Sequence, residues 1–382
     1  MATTLERPGT GPEPEGSPEM AGHGPPGRRG PAARSNRPSA GGWAVRAAVV
    51  AGLALIGYLY ITGTQQFRSD NLAAGVVVAI GALSLNVLIG YAGQISLGHQ
   101  AFIGIGAFTS GYIISKSHQS FYVALAVAAI VGGLQAGILG LVALRVKGLY
   151  FALVTLAYGF VAEDSIFKVK SFTAGGAGRS APRPGGFTTD RAFLMVCLIA
   201  LAVILLVDWR LTASKAGRAL QALRESPQVA ANYGVNVRAY TLFAFTVAGV
   251  YAGVAGALFA SRRTTVVAID FQFATIALPY LIVTVVGGLR RRGGIVLFAL
   301  LYELSAEYLP DLAKNLGIHS LQNNAGNYVS ALGGVLAILT LIFQPDGLGT
   351  ITAPIGRWLK GAPFSLHTGG GPGAEGVADA RP

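Results

Sequence analysis

The chain has 382 residues, 52% hydrophobic and only 12% charged, with a formal net charge of +12 and a mean hydropathy of +0.54. Soluble domains run near a quarter charged, so this composition excludes an ordinary water-soluble globule and fits an all-α, polytopic membrane bundle. The lone cysteine, Cys197, excludes an intrachain disulfide and a cysteine-cluster metal site, and it reads as a small buried hydrophobe.

Met1 to Gly42 is rich in Pro, Gly, Ala, Ser and Arg. It is expected to be a disordered tail, too long and too polar for a cleavable leader. About ten membrane segments follow, on a window of roughly 20 residues. The first covers Trp43 to Thr62, the second Asn71 to Ile89, the third Gly93 to Ser115, the fourth Phe121 to Val146 and the fifth Leu149 to Phe167. The sixth covers Ala192 to Asp208, the seventh Tyr240 to Ala260, the eighth Phe273 to Leu289, the ninth Gly293 to Leu309 and the tenth Ala325 to Phe343. Residues 43–348 would form the membrane domain. Residues 349–382 would be a second tail, low in complexity toward its end.

The third segment is the least like a lipid-facing helix. With the residues just before it, it carries Asn86, Gln94, Ser96, His99 and Gln100, and five glycines fall between Gly93 and Gly111. Hydrocarbon offers no hydrogen-bond partners, so polar groups at this depth must face protein or water. The segment is read as a polar, glycine-paved element lining or shaping a solute path, either continuous or broken and re-entrant. Gly98, Gly104 and Gly106 would permit close helix approach. The pairs Gly133 and Gly137, and Gly249 and Gly253, stand four apart, with Gly256 on a neighbouring face; small residues at that spacing let membrane helices pack tightly.

Between the sixth and seventh segments lies a polar loop, residues 209–238. Leu220, Leu223 and Val229 fall on roughly one helical face, and Pro227 interrupts before Ala230, Ala231 and Gly234. It is either a solvated connector or a docking element that offers apolar residues to a cytoplasmic partner's groove.

Chemistry-bearing motifs are missing. GxxxxGK[ST], HExxH, CxxC and GxSxG do not occur, so no nucleotide, zinc or nucleophile site is expected in this chain. No cofactor, metal or catalytic residue is assigned, and His99 reads as a packing or pathway residue. The basic balance is best explained by Lys and Arg held on the inner side, and no basic stripe with interleaved aromatics points to nucleic acid. With both termini inside, that side receives Arg28, Arg29, Arg145, Lys147, Arg210, Lys215, Arg218, Arg224 and Arg290 to Arg292. The outer loop from Lys168 to Arg191, with five basic residues, and the pair Arg262 and Arg263 run against this rule. Glu163 and Asp164, and Glu303 and Glu307, lie in or near apolar segments. Each is either a helix-end carboxylate paired with a base or a proton relay, and Glu163 lies closer to the suggested path.

GYAGQISLGHQAFIGIGAFTSG (Gly90 to Gly111), KGLYFALVTLAYGF (Lys147 to Phe160), GRALQALRESPQVAANYGVNVRAYTLFAF (Gly217 to Phe245) and QPDGL (Gln344 to Leu348) together resemble the inner-membrane permeases of branched-chain amino acid ABC importers, the LivM-type family. The resemblance runs in order from about Asn71 to Leu348. It implies an ABC-importer permease fold and passage of a branched-chain amino acid or related small amide. It also implies partners: a second homologous permease, two cytoplasmic ATP-binding subunits that hold the ATP, an external solute-binding protein and the lipid bilayer of the inner membrane. The loop with Gly217, Arg218, Ala219, Arg224, Glu225, Ala230, Ala231 and Gly234 would couple to the ATPases. The family's TGG-type outer loop is replaced here by TAGGAGR, Thr173 to Arg179. The alternative from the residues alone is a proton-coupled secondary transporter using Glu163 or Glu303. A non-transporting scaffold is argued against by the polar third segment.

Overall fold

Polar caps mark where five of the helices begin in this computed structural model, which describes residues 66–146, 148–174, 178–315 and 335. The first helix, α1, covers Gln66–Asn86 and runs on through a π-helical turn, Val87–Tyr91. After a stretch without regular structure, α2 covers His99–Ser115. Then come α3, Phe121–Ala143, and α4, Leu149–Asp164. A one-turn α5, Lys170–Thr173, and a two-residue strand β1, Arg179–Ser180, follow. The chain continues with α6, Asp190–Ala213; α7, Lys215–Glu225; α8, Pro227–Asn232; and α9, Val237–Arg263. Strand β2, Thr265–Val266, pairs antiparallel with β1. Last are α10, Leu278–Gly287, and α11, Arg292–Asn315.

Ser120, Thr189, Ser214, Ser226 and Asn236 each accept a backbone N–H of the helix that follows. Pro227 stands at the first position of α8, where its missing N–H costs nothing. Five of the described helical stretches are long and apolar enough to cross a membrane: Ser69–Tyr91, Phe121–Ala143, Leu149–Lys168, Asp190–Ala213 and Val237–Arg263. Three expected segments differ from this pattern. The ninth, within Arg292–Asn315, is helical but is not among these five. Phe273–Gly287 is shorter and apolar, with a π-helical first turn. The third segment is broken, because helix starts only at His99 and Gly93 to Gly98 are non-helical. The first and tenth expected segments, both tails and Gln344 to Leu348 lie outside the described residues, Val335 apart.

Helix α9 is the spine of the bundle, packing on α1, α2 and α3, while α1 lies among α6, α9, α10 and α11. Glycines set the closest approaches. A Cβ at Gly249 would strike the carbonyl of Gly132, and one at Gly253 the carbonyl of Ala128. One at Gly106 would lie 2.7 Å from the Cα of Gly253, and one at Gly256 would strike the Ile103 carbonyl. Gly133 and Gly137 face Thr246 on the same seam. At Gly104 the nearest neighbour is the ring of Phe167, which follows α4. Helices α3, α4 and α6 expose aliphatic stripes, among them Ile130, Leu134, Ile138, Leu153, Ile199 and Val203, which suits faces turned to lipid.

The basic loop before α6 is held by partners at one end of the bundle. Arg183 pairs with Asp190 and, at 3.3 Å, with Asp70, while Arg262 donates to the other Asp70 oxygen at 2.8 Å. Arg179 donates to the carbonyls of Ser171 and Phe172, and Arg263 pairs with Asp270. Much of the charge that ran against the Lys and Arg distribution is therefore matched locally.

Candidate functional site

The polar third segment and the α7–α8 hairpin meet at the opposite end. Helix α1 stops in its π turn, and Ala92 leads to Gly93 at φ +68. There the chain reverses, with the Gln94 N–H closing on the Leu88 carbonyl at 2.9 Å. A side chain at Gly93 would be strained by this φ and would press on Arg224. Gly93 to Gly98 then re-enters the bundle as irregular backbone, and α2 starts inside it.

This re-entry is pinned by hydrogen bonds to neighbouring helices. The Leu97 N–H donates to the Thr155 hydroxyl of α4 at 3.0 Å. Gly98 sits against the Thr155 carbonyl, and Gly159 leaves room for the Gln100 amide. Irregular backbone within a membrane is tolerated only when protein or water satisfies it, and α4 supplies part of that satisfaction.

The sequence-predicted residues diverge from one another. His99 is fully buried and its Nε2 lies 2.9 Å from the Ser84 hydroxyl, which donates its one proton to the Ala248 carbonyl at 2.6 Å. Nε2 therefore carries the hydrogen that binds Ser84, and α1, α2 and α9 are tied at one point. His99 also stacks edge-on against Phe102. Gln100 turns instead toward α4 and is buried with both amide atoms lacking a protein partner, as does the Ser96 hydroxyl. Asn86 accepts the N–H of Arg290 at 2.8 Å, which anchors the α10–α11 turn, where Arg290 has φ +68. Gln94 lines a cavity of about 480 Å³ between the re-entry and the hairpin. Glu163 lies apart, half-buried near the far end of α4, with one carboxylate oxygen unpartnered. Glu303 lies within the electrostatic reach of Arg262 and Asp70, and Lys168 pairs with Asp164 at 2.8 Å.

Hairpin residues also divide into two sets. Gly217 packs on the Leu211 carbonyl and Thr212, and Leu220, Leu223, Ala219 and Ala230 are buried against the bundle. Leu220 and Leu223 thus face this chain, which corrects the expectation that they are offered to a partner. Arg224 is half-buried and donates to the Gly90 carbonyl at 2.9 Å. Arg218, Glu225, Ala231 and Gly234 are exposed, and so are Val229 at 52% and Tyr233 at 85%. These two form an apolar tip on the hairpin.

Sequence reasoning passed over the contacts that bind hairpin to bundle. Asp208, fully buried near the end of α6, accepts from the Tyr91 hydroxyl at 2.8 Å and pairs with Arg292 of α11. Arg292 also reaches the Asp208 carbonyl and the Thr212 hydroxyl. A carboxylate inside an apolar run was the available signal, but Asp208 was read as the end of a segment. In the same way Gln135 of α3, which donates to the Phe102 carbonyl at 3.2 Å and accepts from Tyr158, was lost in the fourth apolar run.

Among the described residues no three His, Cys, Asp or Glu side chains are grouped to hold a metal ion. A family model described as branched-chain amino acid transport system / permease component matches residues 67–343. The high-affinity branched-chain amino acid transport system permease protein LivM of Escherichia coli (strain K12) is 30% identical over 321 residues, 77% of this chain and 72% of its own. The protein of the same name from Salmonella typhimurium is 30% identical over 313 residues, 75% of this chain and 70% of its own. No solved structure matches the chain significantly.

Proposed function

The chain belongs to the branched-chain amino acid transport system permease family, and from that premise we propose that it forms one half of the channel of an ATP-driven importer. The solute is a branched-chain amino acid or a related small amide. A second, homologous permease forms the other half. Two cytoplasmic ATP-binding subunits hold the ATP, with no cofactor in this chain, and an external binding protein delivers the solute. Residues 43–348 make the membrane domain, and both termini lie on the cytoplasmic side with the hairpin.

The observation that carries this reading is the two-sided hairpin. One side, with Leu220, Leu223 and Arg224, is clamped to the bundle, and the other presents Val229 and Tyr233 to a partner. The clamp falls on Gly90, three residues before the chain reverses. A displacement of the hairpin by the ATPases therefore acts directly on the root of the re-entrant segment. Its broken backbone, with Gln94, Ser96, His99, Gln100 and the supporting Asn86, would change the side on which the cavity opens, a switch between two packings. Glu163 stays a secondary candidate for shaping the path.

The test is a pair of substitutions, Val229→Asp and Tyr233→Asp, in the co-expressed transporter. An aromatic anchor in an interface is worth about 2 kcal/mol or more, roughly thirtyfold in affinity. The expected result is loss of ATPase co-purification from a permease that still folds and elutes as before. Undiminished co-purification would refute the docking role. Uptake in ATP-free vesicles that collapses with an uncoupler would instead establish a proton-coupled carrier.

A further inference from the structure

The cavity beside the re-entry has an unusual charge balance. Two guanidinium groups, Arg224 and Arg238, line it together with the carboxamides of Gln94 and Gln228, and among the described residues no acidic side chain does. Its remaining walls are largely apolar, including Leu144 and Val237. Arg292, at the same end of the bundle, has Asp208 as its counter-ion. Arg224 has only the Gly90 carbonyl, and Arg238 has no hydrogen-bond or ion-pair partner among the described residues.

Arg224 is half-buried and Arg238 exposed, and among the described residues neither is hydrogen-bonded to a carboxylate, so an anion entering the cavity would meet two guanidinium groups free to bind it. Burial, and then the neighbouring Arg290 charge, push Arg224 below the usual guanidinium range, and the exposed Glu225 offsets this only in part. The cavity thus has a cationic rim, apolar walls and room for a phosphate group. Basic pockets between membrane helices on the inner face are matched to anionic lipid headgroups.

We propose that this cavity binds a phosphate-bearing anion, supplied by the headgroup of an anionic phospholipid in the adjoining leaflet. Its acyl chains would leave over the apolar walls while the phosphate sits between Arg224 and Arg238. The bound group would then bridge the hairpin to Gly93 and Gln94, so that lipid composition sets how firmly those two parts are joined. The inference rests on the proposed orientation, with the hairpin on the cytoplasmic side, and it stands or falls separately from the identity of the solute.

The test uses the purified transporter complex, incubated with an equal mixture of phosphatidylglycerol and phosphatidylcholine and examined by native mass spectrometry. Retention of phosphatidylglycerol over phosphatidylcholine is expected. Each arginine contributes about fivefold near an anionic headgroup, so Arg238→Gln lowers retention about fivefold, and Arg224→Gln with Arg238→Gln roughly thirtyfold. Arg238 is exposed and holds nothing else, so its variant reports on the site even if the double variant fails to fold. Inorganic phosphate added to the phosphatidylglycerol-bound complex separates the sources. If it displaces the phospholipid, the site recognises the phosphate alone; if it does not, the whole headgroup is required. Equal retention of the two lipids, or retention unchanged by Arg238→Gln, would overturn the proposal.

Discussion

Asp208 and Arg292 hold the root of the hairpin to α1 and α11, and their energetic coupling can be worked out from the geometry. Asp208 is 0% exposed and Arg292 26%. Removing one member of a buried pair costs about 3–5 kcal/mol, because a charge is left inside without its counter-charge. Asp208→Leu should fall near the lower value, since Arg292 retains some access to water. Arg292→Met should fall near the upper, since a fully buried carboxylate keeps only the Tyr91 hydroxyl. Replacing both at once removes both charges and strands only that hydroxyl, a loss of about 1–3 kcal/mol. The double variant should therefore be more stable than Arg292→Met alone, and the coupling should be about 5 kcal/mol or more. Denaturant titration of the purified complex in detergent measures this, with Trp209, next to Asp208 in sequence, as a fluorescent reporter. A double variant whose loss equals the sum of the single losses within ~0.5 kcal/mol would refute the paired arrangement.

Two further outcomes follow from the packing. Gly249→Ala should cost about 1–3 kcal/mol by overpacking, because its methyl enters the Gly132 carbonyl and approaches Ala136 at 2.5 Å. Gly185→Ala, with nothing within 4 Å, should stay within ~0.5 kcal/mol, and thermal unfolding of the complex compares them. Ser84→Ala should cost about 1–3 kcal/mol by leaving the His99 Nε2–H without an acceptor, and adding His99→Phe should restore most of the loss. Stability unchanged by Ser84→Ala would refute this bond as a tie between the helices.

How much of this was legible in the sequence depends on the range of the interaction. Apolar length marked the spans, and the glycine pairs of α3 and α9 marked a seam, because both signals lie within one segment. The break before His99 was foreseen as one of two readings, since glycine and polar residues cannot form a lipid-facing helix. The hairpin's amphipathic period identified Leu220 and Leu223 as one face, but a period cannot say which neighbour covers that face. Ion pairs were out of reach. Arg262 meets Asp70 across 192 positions, and no local pattern selects that partner over Asp190 or Asp270. The polar residues of the third segment were grouped by proximity in sequence, whereas the broken backbone turns His99 and Gln100 toward different helices.

The glycine seam along α9 has a mechanical consequence. Where backbone touches backbone with no side chain between, a helix cannot slide by a fraction of a turn without driving a carbonyl into an α-carbon. α2, α3 and α9 should then travel as one plate. Any opening must be taken up at the plate's margins, where α4 is held through side chains such as Thr155, Tyr158 and Phe151 as well as the close approach at Gly98 and Gly159, and where α10 and α11 turn at Arg290. Distance probes placed across the seam should record a constant separation through the ATP cycle, while probes spanning from α9 to α4 should record the stroke.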